Sequence, residues 1–563
     1  MQGTLVTLSN SRKYSKMNYI SGGGVTAMER MERFFNTAGP MKPDVNYCID
    51  PLTRIDWEEV QKLIRDERYF VLHAPRQTGK TTALLTMMRT LNDEGTYACV
   101  YSNIEAAQAA RGDVTQGIPT VCSTLSSDLA LYLKSPELRT WYLGEGVKLQ
   151  PQDQLFQLLS HWAATSAKPA ILFLDEVDAL IGDTLVSLLR QIRAGYNKRP
   201  ESFPQSIVLC GVRDVRDYRI HQGDGEIITG GSAFNIKAES LRMGNFSQEE
   251  TKALWLQHTE ETGQEFDESI FPELWEDTYG QPWIVNALGH EITWKLRANR
   301  DRSRRITFTD YKEAREELIQ SRATHLDQLT DKLREPRVRN VIGPILSGES
   351  EGADTILTDD QQYVEDLGLI RTRPKIAISN RIYMEVIPRE LTWVAQTHIP
   401  EQEQEWYVTP EHRLDMPKLL TAFQQFYREH SEIWTRAVTF EEAAPQLVLQ
   451  AFLQRIVSGG GHVTREYGLG RKRTDLLIEW PLNEAQGMHG ALQRIVIEVK
   501  VLRGALDTVM ARGLEQTTDY MRRVGADESH LIVFDRDQAR PWNEKIWRRD
   551  EIFEGIPVTV WGS

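Results

Sequence analysis

The chain has 563 residues, of which 40% are hydrophobic and 26% are charged, and its formal net charge is −14. This length holds about three to four domains of ordinary size. The negative balance excludes a globally basic nucleic-acid binder. The apolar runs are shorter than the roughly 18 to 20 residues of a membrane span, the N-terminus lacks a secretory pattern, and four cysteines are too few for a disulfide framework. These features predict a cytoplasmic protein that does not interact with membranes.

The first motif lies between a short apolar run and a helical pattern. Tyr69 to His73 has the composition of a buried strand, and Ala83 to Leu91 has helical spacing. A strand, a glycine turn and a helix in this order are typical of the phosphate-binding loop of P-loop nucleotidases. The residues predicted to bind ATP in this loop are Ala74, Pro75, Arg76, Gln77, Thr78, Gly79, Lys80, Thr81 and Thr82.

Three residues of this loop have distinct physical tasks. Gly79 allows the turn to wrap the β-phosphate, and the backbone N–H groups at the start of the helix complement phosphate charge. Lys80 is predicted to reach the β- and γ-phosphates, and the Thr81 hydroxyl to coordinate Mg²⁺. Ala74 stands where the strict pattern has its first glycine, and this is the one departure from the motif.

A second apolar run, Ala170 to Leu174, ends in adjacent carboxylates about a hundred residues further on. This is the Walker B pattern, in which a buried strand brings an acid beside the phosphate loop. Asp175 is predicted to hold the Mg²⁺ shell, and Glu176 to polarise the attacking water. A further strand, Ser206 to Cys210, precedes Arg213, which we interpret as a γ-phosphate sensor; a surface loop arginine is the alternative.

The sequence Gly280-Gln281-Pro282 follows these strands and opens a helix. Together with the two Walker motifs, it makes residues 20 to 300 resemble the AAA-like ATPases of the STAND and archaeal-ATPase group. The resemblance implies a helical lid in which Pro282 contacts the nucleotide, a winged-helix domain after the lid, and assembly into a homo-oligomer.

The middle of the chain is predicted to contain helices and then a small β unit. Val338 to Leu346 and Asp359 to Leu369 have helical apolar spacing, whereas Ile376 to Ser379 and Ile382 to Ile387 are rich in β-forming residues. This order suits the winged helix that the resemblance implies. Its acidic residues favour a role in packing over DNA binding.

The last quarter of the chain begins a second α/β pattern, with a helix, three strands, a helix and a strand. Polar side chains recur at fixed places in this pattern, and those of interest are Glu441, Glu442, Asp475, Glu498, Lys500, Gln516 and Tyr520. The order resembles the PD-(D/E)xK nuclease superfamily, and the Gln-x-x-x-Tyr sequence at 516–520 resembles its RecB-like branch. A lone Glu-x-Lys is common by chance, so the ordered set supports the resemblance.

The chemistry of that superfamily needs these residue types. Asp475 and Glu498 on adjacent strands are predicted to converge on one or two Mg²⁺ ions, with Mn²⁺ as an alternative. Lys500 lies two residues from Glu498, on the same strand face, and can orient or deprotonate the attacking water. Gln516 and Tyr520 are one helical turn apart, so both can face the phosphate.

A further metal contact is predicted from the first helix of this domain, by Glu442 or alternatively by Glu441. The predicted fold class is an α/β multidomain protein with a P-loop ATPase core, a helical lid, a winged helix and a restriction-endonuclease-like C-terminal domain. The predicted ranges are 1–45 for an N-terminal arm, 46–235 for the ATPase core, 236–305 for the lid, 306–395 for the winged helix, 396–435 for a helical linker and 436–563 for the nuclease.

The sequence thus predicts an ATPase-gated, Mg²⁺-dependent nuclease. Its resemblance implies DNA rather than RNA as the favoured substrate, a role in bacterial anti-phage or mobile-element defence, and a trigger or partner protein. The alternative is a STAND-like signalling ATPase whose C-terminal domain binds nucleic acid or a partner without cutting. Net charge and motif spacing do not decide between the two.

Overall fold

The structure is a computed structural model of the chain. It describes residues 32–212, 220–221, 227–228, 239–321, 332–333, 335–346, 358–373, 376–391, 404–437, 444–457, 461–469, 472–483, 490–537 and 539–563. Two larger sheets lie in these ranges, one of five strands and one of six. None of the helices that the structure describes is long and apolar enough to cross a membrane.

The first sheet is parallel throughout. Its strands are β1 (Phe70–His73), β2 (Ala98–Asn103), β3 (Ala170–Asp175), β4 (Ser206–Gly211) and β7 (Glu239–Arg242), in the spatial order β2-β3-β4-β1-β7. A short antiparallel pair, β5 (Ile220–His221) and β6 (Ile227–Ile228), lies between β4 and β7 in the chain. Because β7 pairs with β1, the predicted core boundary at residue 235 falls before the last strand of the sheet.

Helices cover both faces of this sheet. They are α1 (Trp57–Arg65), α2 (Lys80–Glu94), α3 (Val114–Tyr132), α4 (Glu137–Gly144), α5 (Pro151–Thr165) and α6 (Gly182–Ala194). The first two pack on one face, around Leu84 and Met87. The other four pack on the opposite face, around Leu125 and Leu158. Burial on both faces explains why the strands read as continuous apolar runs, and it leaves the carboxyl edge of the sheet for polar side chains.

Four helices follow the first sheet in the chain, and we refer to them as the lid region. They are α7 (Gln248–Thr262), α8 (Ile270–Thr278), α9 (Pro282–His290) and α10 (Phe308–Gln320). Three lie in the range predicted for the lid, whereas α10 lies in the range predicted for the winged helix. Gly280, in the turn before α9, has φ +66°, and a Cβ atom there would lie 2.0 Å from the carbonyl oxygen of Phe246. The Phe246 N–H also donates to the Gly280 carbonyl at 2.9 Å. Only glycine fits this approach, so the turn fixes the start of α9 against the chain that leaves the sheet.

In the residues that the structure describes, the middle segment, defined here as residues 336–391, contains three helices and a two-stranded sheet. Its elements are α11 (Pro336–Leu346), α12 (Asp359–Asp366), β8 (Ile370–Arg371), β9 (Ala377–Ile378) and α13 (Arg381–Leu391). The prediction of a β-rich stretch at Ile382 to Ile387 is wrong, because these residues lie in α13. Asn380 accepts a hydrogen bond from the Tyr383 N–H at 2.8 Å and caps this helix, and buried residues at 382, 383, 386 and 387 follow helical spacing.

The lid and the middle segment share one hydrophobic core. Leu254 and Leu288 from the lid helices join the same cluster as Val364, Ile382 and Val386 from the middle segment. Movement of the middle segment away from the lid would expose this core to water, at a cost of about 25 cal/mol for each Å² of apolar area. The two therefore form one packed unit.

The C-terminal part of the chain has the element order that the sequence predicts, with additions at both ends. Its elements are α14 (Met416–Ala437), α15 (Ala444–Val457), β10 (His462–Leu469), β11 (Lys472–Pro481), β12 (Leu492–Val501), α16 (Leu506–Val524), β13 (Glu528–Phe534), α17 (Trp542–Lys545), β14 (Trp547–Phe553) and β15 (Ile556–Gly562). The sheet order is β10-β11-β12-β13-β15-β14. β12 and β13 are parallel, with α16 as the crossover between them.

Helices also cover both faces of this second sheet. Residues Ile495 and Ile497 of β12 pack with α14 and α15 on one face, whereas Val496 packs with Tyr520 of α16 on the other. α14 falls largely within the predicted linker, yet Phe423 of this helix contacts Phe452 and Phe534 edge-on. It therefore belongs to the C-terminal domain, because its aromatic face is buried there.

Candidate functional site

The phosphate loop has the backbone shape that anion binding requires. Gln77 and Gly79 both have positive φ angles, +56° and +92°, and Gly79 directly precedes the first residue of α2. This conformation turns consecutive N–H groups toward one concavity at a helix N-terminus. The prediction that these residues form a strand-to-helix turn is confirmed by the structure.

Lys80 already lies over the loop. Its Nζ donates to the carbonyl oxygens of Ala74 and Pro75, both at 3.0 Å, and only 6% of the residue is exposed. The ammonium group therefore sits at the centre of the loop, where a phosphate oxygen competes with these two carbonyls. The position that departs from the strict pattern, Ala74, is fully buried and contributes its backbone oxygen rather than a side chain.

The Walker B strand brings its carboxylate beside the loop, as the sequence predicts for adjacent motifs. The Thr81 hydroxyl donates to Asp175 Oδ2 at 2.7 Å, and the Tyr101 hydroxyl donates to the same oxygen at 3.0 Å. Asp175 is fully buried. A hydroxyl and a carboxylate in contact are the oxygen donors that Mg²⁺ takes in P-loop sites, so this pair fits the ion that accompanies ATP.

Glu176 follows at the edge of the sheet in a left-handed conformation, with φ +59°. A non-glycine residue in this conformation is held by its surroundings. Burial raises the pKa of its carboxyl group, and the nearby Asp178 carboxylate raises it further. A carboxylate of raised basicity at the loop is suited to accept a proton from water.

A cavity of about 270 Å³ adjoins the phosphate loop. Gln77 to Thr82 form its phosphate end, and Glu176 also lines it. The opposite wall comes from the lid, where Pro282 and Trp283 line the cavity; contact of Pro282 with the nucleotide stays a prediction. Pro75 and Arg76 of the predicted set lie outside this cavity and line a larger neighbouring one.

Sequence reasoning missed the rest of this wall. Residues 36–41 line the cavity, and Thr37 accepts a hydrogen bond from the Trp283 indole at 3.0 Å, while the Met41 N–H donates to Thr82 at 3.2 Å. Arg54 also lines it, and a Cβ atom at Gly79 would lie 3.3 Å from its guanidinium. Thr37 and Trp283 are 246 residues apart, and no local pattern signals such a contact.

Residues 64–218 match the family model described as "AAA domain". This part of the chain is similar to that family, and we refer to it below as the AAA domain. The match confirms the predicted P-loop ATPase, and it implies ATP binding and hydrolysis by these residues. No curated protein matches the chain.

Three solved structures resemble part of the chain. They are the Walker-type ATPase paby2304 of Pyrococcus abyssi, Cdc6p of Pyrobaculum aerophilum and the RuvB Holliday junction branch migration motor of Thermotoga maritima. Their identities are 15%, 14% and 14%, with TM-scores of 0.43, 0.33 and 0.31. They cover 63%, 59% and 59% of this chain, and 99%, 91% and 95% of their own lengths.

A second candidate site lies in the C-terminal sheet. β11 and β12 are antiparallel, with Leu476 opposite Ile497. Continuing this register by one residue sets position 475 opposite position 498. Opposite positions of an antiparallel pair are the closest that two strands offer, so the backbone brings Asp475 and Glu498 to one level of the sheet.

The described side chains of this site are mostly buried. Glu498 is 2% exposed, and its Oε1 accepts a hydrogen bond from Lys500 Nζ at 2.6 Å. Tyr520 is also buried and packs against Leu477 and Val496. Gln516, one turn earlier on α16, is exposed. The site therefore combines a buried carboxylate with a partly exposed ammonium group.

Three predicted residues lie outside the described residues. They are Arg213, Glu441 and Glu442.

Proposed function

We propose that the chain is a nucleotide-gated, Mg²⁺-dependent nuclease in which the AAA domain binds and hydrolyses ATP and the C-terminal domain cuts DNA. The observation that carries the nuclease half is the pairing of β11 with β12. This register pairs Leu476 with Ile497, and its continuation by one residue would bring Asp475 opposite Glu498. Glu498 is buried, and its carboxylate accepts a hydrogen bond from the Lys500 ammonium group at 2.6 Å.

Burial of a carboxylate is costly unless it is paired or holds a metal. Lys500 is one such partner of Glu498, and a divalent ion held by Glu498 and Asp475 would be another. When bound, such an ion polarises the scissile phosphodiester and lowers the pKa of water. Lys500 then orients the attacking water, Tyr520 stiffens α16 against the sheet, and Gln516 contacts the phosphate from the exposed rim.

In the AAA domain, the proposed steps use residues whose geometry is compatible with them. Lys80 binds the β- and γ-phosphates, and Thr81 with Asp175 supplies the oxygen donors for Mg²⁺. Glu176 takes the proton of the attacking water, Arg213 senses the γ-phosphate, and Pro282 contacts the nucleotide.

We further propose that the middle segment is a winged helix, that the protein works as a homo-oligomer, and that it serves bacterial defence with a partner or trigger.

The metal requirement and the substrate are tested together. Purified protein is incubated with supercoiled plasmid, single-stranded DNA or RNA, in Mg²⁺ or in EDTA. We expect cleavage of at least one DNA substrate in Mg²⁺ and none in EDTA, because the carboxylates act through the ion. Cleavage of RNA alone would replace the proposed substrate, and binding of nucleic acid without cleavage of any substrate would contradict the nuclease.

Nucleotide gating is supported by contacts that run from the phosphate loop into the middle segment. A Cβ atom at Gly368 would lie 2.9 Å from the ring of Pro75, so this turn touches the loop itself. Beside it, Arg242 of β7 is paired with Glu365 at 3.1 Å. If the phosphate loop shifts when nucleotide binds, its direct contact with the middle segment therefore changes.

A second set of contacts, made by buried and partly buried charged side chains, reaches the C-terminal domain. Arg315 of α10 bonds Asp277 of α8 at 2.9 Å and also pairs with Glu385 of α13. The next residue, Glu316, pairs with His462 of β10 at 3.1 Å. β10 is hydrogen-bonded to β11, the strand that carries Asp475. This set of five residues, the charged joint, connects the lid, the middle segment and the candidate nuclease sheet.

We expect His462→Gln to weaken coupling by about threefold to tenfold. Hydrogen bonding and ion pairing with Glu316, aided by Glu385, outweigh burial and the neighbouring Arg315, and so raise the pKa of His462. A raised pKa means that the joint is strongest below about pH 6.5 and weakens as pH rises through the pKa of the folded state. ATP stimulation of cleavage should decline with rising pH in the wild type and stay flat in His462→Gln.

His161→Gln is the matched control, since His161 lies on α5 of the AAA domain, stacked on Trp141 and away from the joint. ATP hydrolysis should be the same in all three proteins. Identical pH profiles of ATP stimulation in the wild type and His462→Gln would remove the charged joint from the gating pathway.

A further inference from the structure

A cavity of about 960 Å³ lies on the other side of the phosphate loop from the proposed nucleotide cavity. Its walls come from Pro75 and Arg76 of the loop, from the Asn245–Phe246 segment, and from the middle segment around Gly368 and Asn380. The two cavities share only Thr78 and Phe246 among their lining residues. This volume is large enough for a small-molecule ligand.

Two helices begin at this cavity, and each is preceded by a buried amide. Gln281 Oε1 accepts from the Ile284 N–H at 2.7 Å at the start of α9, and Asn380 Oδ1 accepts from the Tyr383 N–H at 2.8 Å at the start of α13. These bonds fix the orientation of both amides, because only an oxygen accepts from N–H. The two helix N-termini contribute partial positive charge.

The amide nitrogens are left as buried donors. Gln281 is 6% exposed and Asn380 is 3% exposed, and neither Gln281 Nε2 nor Asn380 Nδ2 has a hydrogen-bond partner among the described residues. Arg371 Nε, in the same lining, also lacks a partner within the described ranges. Buried donors without acceptors cost about 1 to 3 kcal/mol each, so three of them around one cavity indicate a ligand rich in acceptors.

The charges of the lining point to an anion. The cationic side chains are Arg76, Arg242, Lys332, Arg371 and Arg373, and the carboxylates are Asp178 and Glu365. Glu365 is already neutralised by Arg242 at 3.1 Å. Lys332 is likewise paired with Glu335 at 2.8 Å. Arg76, Arg371 and Arg373 then remain against Asp178, an excess of two positive charges, and phosphate groups are anions that arginine clusters bind well.

Aromatic rings line the cavity as well. Trp275 and Tyr279 lie 5.1 Å apart and nearly parallel, and the Arg371 guanidinium stacks 4.3 Å above the Tyr279 ring. Tyr363 and Tyr383 lie in the same lining. Rings and guanidinium planes present flat surfaces on which a planar ligand group stacks.

We propose that this cavity is a second ligand site, separate from the ATP site, for a phosphorylated small molecule with a planar ring. Asn380, Gln281 and Arg371 donate to its phosphate oxygens. Because the walls belong to both the AAA domain and the middle segment, the bound ligand bridges them and stabilises their contact at Gly368 and Pro75.

Inorganic pyrophosphate is the probe, titrated calorimetrically into the full-length protein whose phosphate loop is first saturated with a non-hydrolysable ATP analogue; Lys80→Ala is titrated without the analogue. Asn380→Asp is the decisive variant, since a carboxylate still accepts from the Tyr383 N–H but replaces the donor with a negative charge. Gln281→Glu makes the same change on α9. Gln150→Glu is the matched control, because Gln150 precedes α5, is exposed, and makes no side-chain bond to that helix.

We expect pyrophosphate to bind at least tenfold more weakly to Asn380→Asp and Gln281→Glu than to the wild type, and equally well to Gln150→Glu. Lys80→Ala should keep binding within twofold, which separates this site from the phosphate loop. Thermal unfolding checks that each variant is folded. Loss of all pyrophosphate binding in Lys80→Ala would overturn the second site, and so would unchanged affinity in both folded cavity variants.

Discussion

Glu498→Gln is expected to lower the rate of Mg²⁺-dependent DNA cleavage by about 10³-fold or more. The substitution keeps the size of the side chain but removes the charge that holds the ion. Lys500 is partly exposed, so its ammonium group stays in contact with water and the protein should stay folded. Asp475→Asn should have a similar effect, since both carboxylates are proposed to share the ion. Initial rates of plasmid cleavage measure both.

Substitution of Lys500 tests whether its positive charge is sufficient for cleavage or whether a lysine amine is required. Lys500→Arg preserves a positive charge beside the buried Glu498, but a guanidinium stays protonated and has a different shape. We expect about 10²-fold slower cleavage with little change in thermal stability. Asp507→Asn is the control, because Asp507 is an exposed acid in the first turn of α16. Cleavage by Glu498→Gln at the wild-type rate would show that Glu498 is only a structural ion-pair partner.

Glu176→Gln is expected to slow ATP hydrolysis by about 10²- to 10³-fold, the usual contribution of a general base, while ATP binding is retained. Glu137→Gln, an exposed residue in the first turn of α4, serves as the control. Phosphate release and binding of a fluorescent ATP analogue give the two readouts. Phosphate release at the wild-type rate in Glu176→Gln would assign the proton transfer to another group.

The pH profile adds a second test of Glu176. A general base acts in its deprotonated form, so the raised pKa of Glu176 moves the acid limb of ATP hydrolysis to higher pH than an ordinary glutamate would give. Asp178 contributes to that shift. Asp178→Asn should therefore move the acid limb to lower pH, and this movement should be absent in the Glu176→Gln background.

The sequence predicts those structural elements that are determined by residues close together in the chain. The strand, glycine turn and helix around Gly79 were visible in the sequence because each uses a short stretch of chain. Ile382 to Ile387 was misassigned, since a short apolar run fits a strand or a buried helix equally well. The capping bond from Asn380 decides for the helix.

Long-range packing was beyond sequence reasoning. The contact of residues 36–41 with the phosphate loop, the charged joint, and the turn of Gly368 on Pro75 each unite segments far apart in the chain. Their side chains have ordinary types at ordinary spacing, so nothing marks them before folding. The C-terminal pairing of β11 with β12 was predictable only because the order of elements supplied the missing long-range information.

Nucleotide control of the C-terminal site is tested most directly by one rate comparison. Initial cleavage of supercoiled plasmid in Mg²⁺ is measured for the wild type without nucleotide and with saturating ATP, with Lys80→Ala in parallel. We expect ATP to change the wild-type rate at least fivefold and to leave Lys80→Ala unchanged, with all cleavage abolished in EDTA. Equal rates with and without ATP would contradict gating, and the absence of any Mg²⁺-dependent cleavage would contradict the nuclease itself.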